Sequence, residues 1–200
     1  MATFAHFAGR LNRQLASQVA GVATVAVTAV ALIGWWWELP LLSGWSAGPP
    51  TSSGALCLAA IGLALMRPRD DIVAIAVGLV VVAVAAAFLG FALYRAEREA
   101  GLEEAFAMPA ATALGILLAG GAFMLCRFDR HYVTATVVGG LVGAVAVFGL
   151  LGYLTGTNTL YNATSISSPP LPTAVALLCI AFGIILRIGA KPAFRRPRPL

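Results

Sequence analysis

Residues Tyr153 to Arg187 read YLTGTNTLYNATSISSPPLPTAVALLCIAFGIILR. A greasy helix closes at Tyr153 to Thr155, and an uncharged Ser/Thr/Asn loop runs into Pro169, Pro170 and Pro172. A second greasy helix starts there and closes at Arg187. Proline fixes φ and is tolerated in the first turn of a helix, where its missing N–H costs nothing, so these prolines mark a helix start. The same arrangement occurs twice earlier. Pro49, Pro109 and Pro169 are spaced by 60 residues, as are Arg67, Arg127 and Arg187. The segments between them are PPTSSGALCLAAIGLALMR, PAATALGILLAGGAFMLCR and PPLPTAVALLCIAFGIILR, and Leu58, Leu118 and Leu178 coincide in this register. The pattern predicts three helical hairpins of about 60 residues, all starting from the same side and related by an axis along the membrane normal.

Composition says what surrounds them. Of the 200 residues 60% are hydrophobic and 10% charged, against ~25% charged in soluble domains. The mean hydropathy is +0.90. A soluble chain of this size could not bury that much apolar surface, so the expected solvent is lipid. Six apolar runs can be marked, at 18–37, 51–67, 72–94, 109–127, 132–154 and 170–189. Each is near the ~20 residues that cross ~30 Å of hydrocarbon. In lipid each must be a helix, so that its backbone groups are satisfied internally. The expected fold is therefore all-α, a polytopic bundle of six transmembrane helices. Its repeats would span 18–67, 72–127 and 132–187, within a membrane domain at 18–189.

The net charge of +5 does not point to nucleic acid, because the 13 Lys and Arg residues sit in short clusters between apolar runs. A cytoplasmic N-terminus puts Arg10, Arg13, Arg67, Arg69, Arg127, Arg130, Arg187, Lys191, Arg195, Arg196 and Arg198 inside, leaving only Arg95 and Arg98 outside. The positive-inside rule favours that orientation, with both termini cytoplasmic. Trp35, Trp36, Trp37, Trp45, Tyr94 and Tyr153 then fall at the outer interface, where amphipathic rings prefer to sit. Phe4, Phe7, Leu11 and Leu15 share a helical face, so 1–17 reads as a short helix lying in the inner interface. The tail 190–200, with Lys191, Arg195, Arg196, Arg198 and three prolines, reads as a basic segment near anionic head groups.

In the fifth run, Gly139 and Gly143 form G-x-x-x-G, and Gly149 and Gly152 extend the small surface. Small residues let helices approach closely in lipid, so this helix is expected at the centre or at a dimer seam.

Groups able to do chemistry are scarce. No apolar run has an ionisable residue near its midpoint, where transporters and proton pumps usually carry one. His6 and His131 lie outside the apolar runs. Cys57, Cys126 and Cys179 are scattered, without the spacing of a zinc site or a disulfide framework. No cofactor, metal or catalytic residue is expected. The acidic residues Glu97, Glu99, Glu103 and Glu104, with Arg95 and Arg98, suggest an amphipathic surface helix in the outer link 95–108. The candidates for an outer ligand or partner site are Trp37, Glu38, Tyr153, Asn158, Tyr161 and Asn162.

One family resemblance rests on specific residues. Met108-Pro109-Ala110-Ala111-Thr112-Ala113-Leu114, the run Gly62-Leu63-Ala64-Leu65, and Pro172-Thr173-Ala174 after the GYLTG and TLY segments resemble the N-terminal membrane-sensor region of bacterial sensor histidine kinases and diguanylate cyclases. The resemblance covers residues 18–190. It implies a non-enzymatic signal-input domain, as in two-component systems, without the output modules, since no phospho-accepting His motif or nucleotide site occurs in these 200 residues. The competing expectation is a structural or accessory subunit of a larger membrane complex, respiratory or photosynthetic. Expected partners are membrane lipids and a second copy or a larger assembly. A small-solute transporter is the third reading, and it lacks midplane polar groups.

Overall fold

The computed structural model describes residues 2–37, 52–67, 71–98, 110–155 and 171–190. Among them are six α-helices: α1 Ala2–Trp36, α2 Ser52–Met66, α3 Asp71–Arg98, α4 Ala110–Leu125, α5 Tyr132–Thr155 and α6 Leu171–Ala190. A single 3₁₀ turn, Asp129–His131, joins α4 to α5. Four segments are long and apolar enough to cross a membrane: Asn12–Gly34, Ile72–Phe91, Tyr132–Leu154 and Leu171–Gly189. The helices α2 and α4 have 15 and 16 residues. At 1.5 Å per residue they rise about 22–24 Å, less than the ~30 Å of a hydrocarbon core.

Neighbouring helices run antiparallel. Ser17, in the middle of α1, meets Gly183 in the second half of α6, Arg13, a turn earlier in α1, meets Gly189 near the end of α6, and Gln18 meets Met66 at the end of α2. Gly78 in α3 faces Met124 and Gly120 of α4, and Gly143 in α5 faces Ala181 of α6. The even helices α2, α4 and α6 therefore run parallel, and each of them touches the other two. The odd helices pack outside them. α1 lies between α2 and α6, and α5 lies between α4 and α6. α3 lies along α4 and touches α2 more sparingly.

The centre is apolar and closed. Leu58, Ile61 and Leu65 of α2, Ile116, Ala119 and Phe123 of α4, and Leu177, Ile180 and Ile184 of α6 are each no more than 1% exposed. All nine belong to one contiguous buried cluster. In each helix they follow the i, i+3, i+7 spacing that keeps one stripe facing inward.

Burial also recurs along the chain. Ala74, Gly78, Val81 and Ala85 are buried in α3, and the positions 61 residues later, Ala135, Gly139, Val142 and Ala146, are buried in α5. The same step carries Ala113, Ile116, Ala119, Ala122 and Phe123 of α4 onto Ala174, Leu177, Ile180, Gly183 and Ile184 of α6. From the first hairpin to the second the step is 57 residues for the odd helices, with Ser17, Gly21, Thr24 and Thr28 leading. It is 58 for the even ones, with Ala55, Leu58, Ile61, Ala64 and Leu65 leading. A uniform step of 60 misaligns the faces. Leu58 is buried, Leu118 is half-buried and Leu178 is 37% exposed. Each residue turns a helix by about 100°, so a slip of one or two residues moves a side chain to another face. The 60-residue spacing of proline and arginine in the sequence does not fix that phase.

Three other expectations change. The glycine-rich α5 is not central, because it packs on α4 and α6 alone, whereas α2, α4 and α6 each touch four other helices; a dimer seam is the part of that expectation left standing. On α5, Gly140 has nothing within 4 Å of where a Cβ would lie, and Leu141, Phe148 and Leu154 are exposed. Counting glycines does not reveal which face carries them. The boundary expected at 17/18 is not marked by any break, since α1 is one helix from Ala2 to Trp36. The first residues of the link at 95–108 belong to α3, which continues to Arg98.

Candidate functional site

The outer-face candidates are not gathered into a site by the described residues. Trp37 caps the end of α1, donating its backbone N–H to Ile33 O at 3.0 Å, and its ring is exposed. Tyr153 is half-buried in the last turns of α5. Both sit at the C-terminal ends of odd helices, hence at the same end of the bundle. Glu38, Asn158, Tyr161 and Asn162 lie outside the described residues, as do the expected helix-start prolines Pro49, Pro109 and Pro169. Of the helix-packing glycines, Gly139 faces Ile184 and Ile185, and Gly143 faces Ala181, at ordinary van der Waals distances of 3.5–3.7 Å. Gly149 and Gly152 are buried. Tighter approaches lie elsewhere: a Cβ on Gly78 would collide with Met124 Cγ, and one on Gly21 would fall 2.6 Å from Gly62 O, so α1 and α2 touch backbone to backbone.

Polar contacts instead converge at the opposite end, where the apolar span of α1 starts and α2 and α6 finish. The last carbonyls of a helix have no partners within it, and the helix dipole places partial negative charge there, which cations satisfy. Arg187, in the last turn of α6, donates Nη1 to Leu65 O at 3.2 Å and Nη2 to Arg67 O at 2.9 Å. Gln18 donates Nε2 to Met66 O at 3.2 Å. Arg13 donates Nη1 to Gly189 O at 2.7 Å. One turn further in, the buried Ser17 hydroxyl donates to Gly183 O at 3.0 Å. These bonds tie together three helices whose residues stand up to 176 positions apart in the chain. The α4 end is finished differently. The Arg127 guanidinium lies over the Phe123 ring, 5.2 Å from its centroid, and the following turn places Phe128 and His131 edge to face.

At its far end the α1–α6 seam opens. Val27, Val30 and Ala31 of α1 and Leu171, Pro172 and Val175 of α6 line an apolar cleft of about 270 Å³. The seam is thus bonded at one end and parted at the other.

Sequence reading assigned Arg13 and Arg187 to topology and did not single out Ser17 or Gln18. A usable signal existed for Arg187 alone, a cation in a helix's last turn. The carbonyl it caps belongs to another helix, and nothing in the sequence announces that. The mid-helix hydroxyls of Thr24 and Thr28 were also passed over. They are buried and donate to the carbonyls of Ala20 and Thr24, each at 2.9 Å. The Thr112 hydroxyl, in the first turn of α4, is buried with no hydrogen-bond partner. Among the described residues no three His, Cys, Asp or Glu side chains gather as metal ligands would.

Comparison with family models, with curated proteins and with solved structures finds no match.

Proposed function

We propose that this chain is a non-catalytic, multi-pass sensory or signal-input domain of a bacterial inner membrane. In this reading all six helices cross the bilayer as three parallel hairpin repeats, with both termini cytoplasmic. The recurrence of the same buried pattern in successive hairpins, at steps of 57, 58 and 61 residues, supports the repeat. The single observation that carries the functional reading is the place of α6. Like α2 and α4 it touches four other helices, it makes the most extensive interface among the described helices, with α1, and in the sequence it leads into the basic tail. A stimulus that changes how the hairpins pack, whether at the outer face around Trp37, Glu38, Tyr153, Asn158, Tyr161 and Asn162 or in the cleft between α1 and α6, would move α6 and be read beyond Ala190. The apolar axis speaks against the transporter reading, since its nine central side chains offer no polar path.

The test is a fusion of residues 1–190 to a diguanylate cyclase output module. Gly183→Leu, which pushes α1 off α6, should change cyclase output, whereas Leu178→Ala on the lipid-facing side should not. Output indifferent to both substitutions would overturn the reading. Cysteine labelling tests the sidedness: a cysteine at position 161 should react from outside and one at 195 from inside.

The alternative, an accessory subunit of a larger membrane complex, draws on the exposed aliphatic face of α3, with Ile72, Leu79 and Val80. Purification in mild detergent separates the two. A stoichiometric partner that elutes with the chain favours the subunit.

A further inference from the structure

We propose that the end of the bundle axis where α2, α4 and α6 start binds a small monovalent anion, held by the Thr112 hydroxyl and the first N–H groups of the helices. The first ground is Thr112 itself. It is 2% exposed, and its hydroxyl has no hydrogen-bond partner. Thr24, Thr28 and Thr136 each donate to the carbonyl four residues back. Thr112 is the third residue of α4, so the residue four back precedes the helix. A buried polar group left unmatched costs free energy, which a bound acceptor would recover. The direction of Thr112 follows from its stripe. Thr112, Ile116, Ala119 and Phe123 stand at i, i+4, i+7 and i+11, and the last three line the buried axis. One turn further in, Leu177 Cδ1 lies 2.9 Å from where a Cβ of Gly115 would stand, so the first turns of α4 and α6 lie side by side.

The second ground is the layer that Thr112 belongs to. Steps of 58 and 61 residues relate Leu58, Ile116 and Leu177, and one turn outward the same steps relate Gly54, Thr112 and Thr173. Gly54 is buried and Thr173 half-buried. The three layers below each hold at least two large apolar side chains, whereas this one holds nothing larger than threonine and no charge. The first N–H groups of a helix have no partner within it, and each start carries about half a positive charge, which suits an anion. Pro172 removes one such donor from α6. The third ground is depth, and it rests on the six-span reading, which the cysteine labelling tests separately. α2 and α4 rise about 22–24 Å, so with their last turns at the inner edge their starts fall short of the outer edge of ~30 Å of hydrocarbon. Short helices in corresponding places of successive repeats, starting below the membrane surface, are where membrane proteins hold anionic groups. Charge at that depth is costly, which favours a single charge over phosphate or sulfate. The site does not depend on the sensory reading.

The test follows thermal unfolding of the full chain in neutral detergent while chloride replaces gluconate, a bulkier anion, at constant ionic strength. Chloride should raise the melting temperature and saturate. Thr112→Val should weaken the apparent chloride affinity roughly ten-fold, the loss expected for one hydrogen bond to a charged group. In gluconate alone the same variant should melt no lower than the wild type, so the loss is specific to the anion. Thr112→Ser keeps the hydroxyl and should keep the chloride effect, and Thr112→Ala decides the matter should Thr112→Val not fold. Thr136→Val, on α5, should leave the chloride effect unchanged. A parallel titration with acetate distinguishes a halide from a carboxylate, and protection by either that needs the Thr112 hydroxyl supports the proposal. Equal melting in chloride, acetate and gluconate, or protection that survives Thr112→Val, would overturn it and leave the hydroxyl to water.

Discussion

The α1–α6 seam and the α2–α3 seam hold corresponding places around the bundle, each joining an odd helix to the even helix of the neighbouring hairpin. The first is the most extensive interface among the described helices, and the second is slight. The buried positions correspond, so the difference lies in the side chains placed there. In α6 the position is Gly183, which brings Ala20 to 3.2 Å of where a Cβ would stand. Its counterpart in α2 is Ala64. Ser17, which bonds across the first seam, has Ala74 as its counterpart in α3, and alanine has nothing to donate. In lipid, helices gain little from hiding apolar surface from each other, so close fit and cross-helix hydrogen bonds decide how firmly they hold. A shared pattern of buried positions therefore does not entail equal cohesion.

The largest effect is expected from one substitution made at both seams. Gly183→Leu must displace Leu65, Ala20 or the Ser17 backbone, all within 3.6 Å. Overpacking of this kind costs ~1–3 kcal/mol. Ala64→Leu should cost distinctly less, because α3 can give way. Thermal unfolding in one detergent compares them directly, and equal losses would show that the seams do not differ as their packing implies. Next comes Arg187→Met, which leaves Leu65 O and Arg67 O without their cationic donor. Hydrogen bonds to charged groups contribute ~1.5–3 kcal/mol, and the partly exposed setting argues for the low end. Chemical denaturation should show the loss, and Arg187→Lys should recover only part of it, having no fork to span two carbonyls.

Ser17→Ala removes a single bond from the firmer seam and should cost ~0.6 kcal/mol, the average for such bonds within membranes. Amide exchange at Gly183 and its neighbours should rise while that of α4 stays put. The smallest effect is expected at Thr112. Its buried hydroxyl pays for desolvation and makes no bond, so Thr112→Val should leave the melting temperature unchanged or raise it. A clear loss would mean that the hydroxyl has a partner in the native membrane.

Much of the fold could be read before any coordinates. Hydropathy located all six helices, because in lipid an apolar run has little choice but to be one. The recurrence of buried positions steps by 57, 58 or 61 residues and does not match the 60-residue spacing of proline and arginine. Those residues answer to the ends of helices, whereas phase is set by which small and branched side chains meet in the middle. The tied end was hardly legible. Arg13 and Gly189 have no sequence relationship, and a backbone carbonyl leaves no trace in a one-letter code. The outer-face candidates were chosen as polar residues in loops, a rule with no geometry in it, and only Trp37 and Tyr153 among them have described positions.

The bond between Ser17 and Gly183 has a consequence in time. A ribosome delivers α1 well before α6, so the helix with the largest claim on α1 arrives after α2, α3, α4 and α5 have been made. Thr24 and Thr28 can wait in the bilayer, since each is satisfied by its own helix. Ser17 cannot be satisfied by Gly183 until α6 is inserted. The α1–α6 seam should therefore close in a late step, and nascent chains halted before α6 should expose α1 to whatever machinery surveys unfinished membrane proteins.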